Sequence, residues 1–164
     1  MHIRTETPED AAEIRQVTET AFLPVSYSNQ KEGEIVDALR AANALTLSLV
    51  AEENGQIFGH VAFSPVLIDG EDMGWYGLGP VSVRPDRQGE GIGGMLIREG
   101  LAILRQEGAK GCVLLGDPGY YGRFGFKADA RLKLLGVPAE YFQCLAFGSD
   151  IPEGDVTYHV AFHI

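Results

Sequence analysis

Apolar residues at Ala11, Ile14, Val17 and Ala21 recur at a spacing that lays one stripe along a helix. Thr7-Pro8-Glu9-Asp10 reads as its start, with a Thr cap, Pro at the first helical position and acids in the first turn. After a loop holding Pro24, a second helix is predicted over about 31–42, with Ile35, Val36 and Leu39 inward. The period then falls to two. Strands are predicted over Thr46–Ala51 and Ile57–Phe63, joined through Asn54-Gly55, a strong hairpin signal. Val66–Ile68 extends the second strand, Asp69-Gly70 makes another turn, and Trp75–Val83 is a third strand with Leu78, Val81 and Val83 buried. A loop from Pro85 to Gly94 opens a helix whose inner face is Ile92, Leu96, Gly100 and Ile103, stopped near Gly108. Cys112–Leu115 is wholly apolar, as suits a strand covered on both faces. Asp117-Pro118-Gly119 opens a short helical turn, and Gly125-Phe126 leads into another strand. Two further apolar strands are expected around Tyr141–Phe147 and Val156–Phe162.

A chain of 164 residues suits one domain with one core. No apolar run approaches membrane-spanning length, so no membrane partner is expected. Met1–Glu6 carries no apolar stretch of the secretory kind, which makes the cytoplasm the expected location. A net charge of −10 argues against nucleic acid as a partner. That charge is unevenly spread. Residues 84–133 hold nine of the thirteen Lys and Arg, against six acids. One reading is simply a solvated acidic surface; the other puts a polyanionic ligand at the basic stretch and a cationic substrate elsewhere. Cys112 and Cys144 sit in apolar runs and read as small core residues. His159 and His163, in an expected strand, would stand about 13 Å apart, too far to share a zinc ion, and no metal site is expected.

The stretch with chemical content is Leu78-Gly79-Pro80-Val81-Ser82-Val83-Arg84-Pro85-Asp86-Arg87-Gln88-Gly89-Glu90-Gly91-Ile92-Gly93-Gly94. A strand runs into a glycine-rich turn that opens a helix. First-turn amides have no partner inside a helix, and the helix dipole adds positive potential, so an anionic phosphate fits there. The glycines let backbone approach it, and Arg84 and Arg87 add charge nearby. The bland alternative is a flexible turn with close helix–strand packing. Gly89-x-Gly91-x-x-Gly94 does match a dinucleotide-binding pattern, but it follows two hairpins, and Leu114 and Leu115 stand where an acid would close the next strand.

Gln88-x-x-Gly91-x-Gly93 resembles the acyl-CoA loop of the GNAT superfamily of N-acetyltransferases, and Leu78–Val83 resembles its central strand. Tyr121-Gly122-Arg123-Phe124-Gly125-Phe126 is similar to its Tyr-x-x-x-Gly-Phe. The longer run Leu115–Phe126, Glu32–Arg40 and Tyr158–Phe162 resemble the YhbS-like branch. The resemblance implies a mixed α/β fold: a largely antiparallel central sheet, splayed near its middle, with helices on both faces. It implies direct acetyl transfer from acetyl-CoA to a primary amine in a ternary complex. The alternatives are a different acyl donor, or a CoA-binding regulatory module with weak turnover. Backbone of Val81, Ser82 and Val83 is implied to hold pantetheine like an added strand. Amides of Gln88, Gly89, Glu90, Gly91, Ile92, Gly93 and Gly94 are implied to hold the pyrophosphate. Tyr121 is the implied catalytic residue, an acid for the departing thiolate, with a packing aromatic as the alternative. Arg123 reads as a solvated charge, with CoA contact as the alternative. Leu78–Val83 offers no acid, so no general base is assigned. Glu32 and Glu34, on the second helix, are the acceptor-side candidates, with a helix's wet face as the alternative. The expected partner is a small-molecule or peptide amine. A homodimer is left open.

Overall fold

The computed structural model describes residues 1–164. Its strands are β1 (His2–Thr5), β2 (Leu47–Glu53), β3 (Gln56–Ile68), β4 (Trp75–Val83), β5 (Gly111–Leu115), β6 (Leu132–Lys133), β7 (Phe142–Ala146) and β8 (Gly154–Tyr158). The helices are α1 (Ala11–Phe22), α2 (Glu32–Ala41), α3 (Ile92–Gln106) and the short α4 (Pro118–Tyr121). Strand order is β1-β2-β3-β4-β5-β7; β8 pairs with the far end of β3, and β6 pairs with β8. Only β4–β5 and β6–β8 are parallel.

Strand alternation explains why helices cover both faces. Leu47, Leu49 and Ala51 share one buried cluster with Ile92, Leu96 and Ile97 of α3. Val50, the intervening side chain, packs with Ile14 and Val17 of α1 and Val36 of α2. Successive side chains point to opposite faces, so a sheet covered twice needs apolar residues at nearly every position. The largest polar exception besides Gln143 is His60, fully buried on β3, whose Nε2 lies 2.8 Å from Ser48 Oγ. Ser48 in turn donates to Glu6, which also receives Nε and Nη2 of Arg40 at 2.8 and 2.9 Å.

Several boundaries depart from the sequence reading. Gly125-Phe126 leads not into a strand but to a single bridge, Lys127 to Cys144. The last strand stops at Tyr158, and Val160–His163 forms a 3-10 turn capped by His159 Nδ1, which accepts from Ala161 N–H at 3.0 Å. The extended spacing assumed for His159 and His163 therefore does not hold. The turn forms because Ala161 and Phe162 dock on Ile35 and Leu39 of α2, which a strand directed away from α2 could not do. On α3 the buried position is Leu104 and not Ile103, which is only partly covered. Val81 and Val83 are half-buried, while Ser82 is 2% exposed on the opposite face. Leu115 is 51% exposed at the open end of β5.

Candidate active site

The site forms where β4 and β5 part. They pair only over Trp75–Gly77 and Gly111–Val113, although β4 runs on to Val83 and β5 to Leu115. From Leu78 onward, the edge of β4 that faced β5 has no strand partner. An extended chain can add there through main-chain hydrogen bonds.

At the end of that edge the chain turns into α3. Gly91 caps the helix at φ 84°, and a Cβ there would meet no heavy atom within 4 Å. The left-handed φ favours glycine, and the open space leaves the backbone accessible. Gln88 Nε2 donates to the Val83 carbonyl at 3.1 Å, tying the turn to the strand. Met95 N–H donates to Gly91 O at 3.0 Å. The preceding amides of Ile92, Gly93 and Gly94 have no carbonyl one turn back inside the helix, which is the general condition of a helix start. They face a cavity of about 400 Å³ lined also by Arg87, Arg98, Arg123 and Tyr120. Arg87 shares its charge with Glu90 and Glu53, both at 2.9 Å. Arg98 stacks on Phe124 at 4.8 Å, and Arg123 stacks on Tyr120 at 4.4 Å while donating to its carbonyl. Stacking orients these guanidiniums and leaves N–H donors for an anion. Arg123 is exposed, as its reading as a solvated charge expects, and it also lines this cavity. Arg84 does not line it; that side chain pairs with Asp86 at 2.8 Å and lies over Phe58.

Two adjacent tyrosines divide the space between cradle and cleft. Asp117 accepts from Gly119 N–H at 2.9 Å, starting α4. The Tyr120 hydroxyl reaches to 3.7 Å from the Cβ position of Gly93. Tyr121 lies against Gly116, where an added Cβ would stand 2.5 Å from Cε2. Any larger residue at 116 must move the ring. Gly116 is itself held from two sides, donating to Tyr141 O at 2.9 Å and accepting from Gln143 Nε2 at 3.0 Å. Burial pushes the Tyr121 phenol up to about 12, and nearby Tyr120, Tyr27 and Asp117 further disfavour an anion there. The phenol therefore keeps its proton at neutral pH, which is the state an acid needs. Tyr27 comes from the α1–α2 connection and is 90% exposed.

The remaining predicted residues are more dispersed. Ser82 turns its hydroxyl away from the cradle, so only its backbone belongs to the open edge. Glu32 accepts from Ser28 Oγ, in the loop that carries Tyr27, at 2.7 Å. Glu34 is held by Lys31 at 3.6 Å and Arg15 at 3.9 Å, in a surface ion-pair network. No group of three or more His, Cys, Asp or Glu gathers with metal-binding geometry. Arg98, Gly116, Gln143 and Tyr27 were missed by sequence reasoning. Arg98 alone had a signal, lying four residues after Gly94 on the same helix face.

A splayed sheet edge that continues into an anion cradle, with a protonated tyrosine beside it, defines an acyltransferase site. The chain belongs to the GNAT acetyltransferase family: the model of the "Acetyltransferase (GNAT) domain" matches residues 2–128. It is 39% identical to the N-acetyltransferase YhbS of Escherichia coli K12, over 99% of this chain and 96% of that one. YjhQ of the same organism is 38% identical over 80% of this chain and 71% of its own. A GNAT family acetyltransferase of Brucella melitensis, solved in complex with acetyl-CoA, superposes with a TM-score of 0.90 at 74% identity, covering 98% of this chain and 97% of that chain. The crystal structure of E. coli YhbS in complex with CoA also superposes with a TM-score of 0.90, at 36% identity, over 99% and 92% of the two chains.

Proposed function

We propose that this protein is an acetyl-CoA-dependent N-acetyltransferase that moves the acetyl group directly to a primary amine within a ternary complex. The observation that carries this reading is the continuity of the cradle at the start of α3 with the unpaired edge of β4. The two parts suit the two halves of CoA. Backbone amides and guanidiniums suit the pyrophosphate, and an open strand edge suits the amide-bearing pantetheine arm. The relatives solved with acetyl-CoA and with CoA support the assignment.

Bound acetyl-CoA would supply the thioester at the cleft. The chain's own groups then divide the work. Amides of Ile92, Gly93 and Gly94, with Arg98 and Arg123, hold the pyrophosphate. Val81–Val83 backbone orients the arm, although the Val83 carbonyl is already shared with Gln88. Tyr121 donates a hydrogen bond to the sulfur as the carbon–nitrogen bond forms and the carbon–sulfur bond breaks; the proton shed by the amine ends on the departing thiolate, either directly or through the Tyr121 hydroxyl, which is left neutral, as its buried setting favours. The acceptor enters between Tyr121 and the α1–α2 connection. Glu32, tied only to a serine hydroxyl there, is better placed than Glu34 to meet an ammonium group. A screen of acetyl-CoA with a panel of amines, reading released thiol and product mass, tests the reading. Thiol release with an acetylated amine is expected. CoA binding without turnover of any amine would favour a regulatory module, and turnover only with longer acyl-CoA would change the donor.

A further inference from the structure

We propose that Tyr158 is an acceptor-binding residue, its hydroxyl hydrogen-bonding the amine nitrogen at the point where β4 and β5 diverge. The inference rests on the acetyltransferase reading and assigns to its amine side a residue from the last strand. Gly77 is the last residue of β4 paired to β5, through Val113. The Tyr158 ring lies directly on it: an added Cβ at Gly77 would be 2.5 Å from Tyr158 Cε1 and 3.1 Å from Cδ1. A side chain at 77 and this ring cannot share the space, so glycine is there to admit the ring to the apex of the cleft.

The ring is set firmly. Phe162 stacks on it at 5.2 Å between centroids, and Phe162 and Ala161 dock on α2, the helix that begins with Glu32. Apolar neighbours around it include Val66, Val113 and Val156. In that setting the phenol resists ionisation strongly, with burial as the main cause and Cys112 nearby adding to it. Yet the residue is half-buried, and none of the side-chain hydrogen bonds of the protein involves its hydroxyl. A neutral hydroxyl in apolar surroundings that is reachable and unpaired is arranged for a partner arriving from outside.

Its position complements Tyr121. Tyr121 packs with the cluster on the α3 face, and Tyr158 with the separate cluster at β8. The two rings pack with different clusters, and the proposal gives Tyr121 the sulfur that leaves and Tyr158 the nitrogen that attacks. As a neutral phenol, Tyr158 accepts a hydrogen bond from the amine N–H and orients the nitrogen; it is no sink for the amine proton at neutral pH. The ligand class is an unhindered primary amine, since the ring edge that carries the hydroxyl lies against Gly77, where even a Cβ would not fit.

Tyr158→Phe keeps the ring on Gly77 and removes only the hydroxyl. With the best amine from the screen, KM for the amine should rise roughly 3- to 10-fold, the worth of one neutral hydrogen bond. Calorimetry of that amine on the CoA-loaded protein should weaken by the same factor. CoA affinity and melting temperature should hold. Gly77→Ala, which displaces the ring, should reproduce the amine defect. An active wild type with unchanged amine KM and amine binding in Tyr158→Phe would overturn the assignment. So would a loss shared equally by CoA affinity and thermal stability, which marks packing. A wild type that turns over no amine would overturn the parent reading, and this inference with it.

Discussion

The buried histidine makes a quantitative demand on stability. Ser48 donates its proton to Glu6, so Nε2 of His60 must carry the hydrogen shared with Ser48, leaving the Nδ1 lone pair buried without a partner. A second proton would have to enter there. Burial is the main obstacle, Arg40 adds to it and Glu6 partly offsets it, and together they push His60 down from 6.5 to about 4. The folded value lies below the unfolded one, so this stability is whole above pH 6.5 and is lost as pH falls towards about 4. Between pH 7 and pH 5 the linkage amounts to about 2 kcal/mol. That is a large share of the roughly 5–15 kcal/mol that holds a typical domain together. The paired carboxylates Glu6, Asp10 and Asp129 have lowered values, so their contribution fades mainly below this window. Urea melts followed by circular dichroism at pH 7 and pH 5 read the difference. His60→Gln removes the titration while keeping an N–H donor. Whatever its absolute stability, its fall from pH 7 to pH 5 should be smaller than that of the wild type by about 2 kcal/mol. An equal fall in both proteins would refute the account.

Three further outcomes follow from the site. Gly91→Val puts a β-branched residue at φ 84° at the mouth of the cradle, so calorimetry should find CoA affinity sharply reduced while circular dichroism stays native; unchanged affinity would mean the phosphates bind elsewhere. Tyr121→Phe should cut single-turnover acetyl transfer roughly 10- to 1,000-fold with CoA affinity little changed, and full activity would reduce Tyr121 to packing. Residues 1–72 hold thirteen acids and four bases, so cationic or neutral amines should be preferred, with the preference weakening in salt; a panel led by polyanionic acceptors would contradict it.

Short-range signals in the chain determined most of the scaffold. The Asn54-Gly55 hairpin, the switch from helical to alternating spacing and the Gly91 helix start each depend on residues a few positions apart, so local sterics and burial suffice to place them. The cradle was legible for the same reason: strand, turn and helix start are contiguous, and the residues that line the cavity there are mostly from that one stretch. What only the tertiary structure decided are relations between distant segments. Divergence of β4 from β5 after Gly77 gives the strand its open edge, and no spacing within β4 encodes it. Gly116 admits the Tyr121 ring, and Gly77 admits Tyr158 from a strand some eighty residues later, through contacts no local pattern carries. The tail from Val160 leaves the extended form because α2 offers it an apolar surface. His60 stands within a predicted strand with no local sign of its chemistry, which arises only where β2, β3, the first loop and α2 bring Ser48, Glu6 and Arg40 around it. Burial and partnership set what a titratable side chain does, and both are properties of the folded whole.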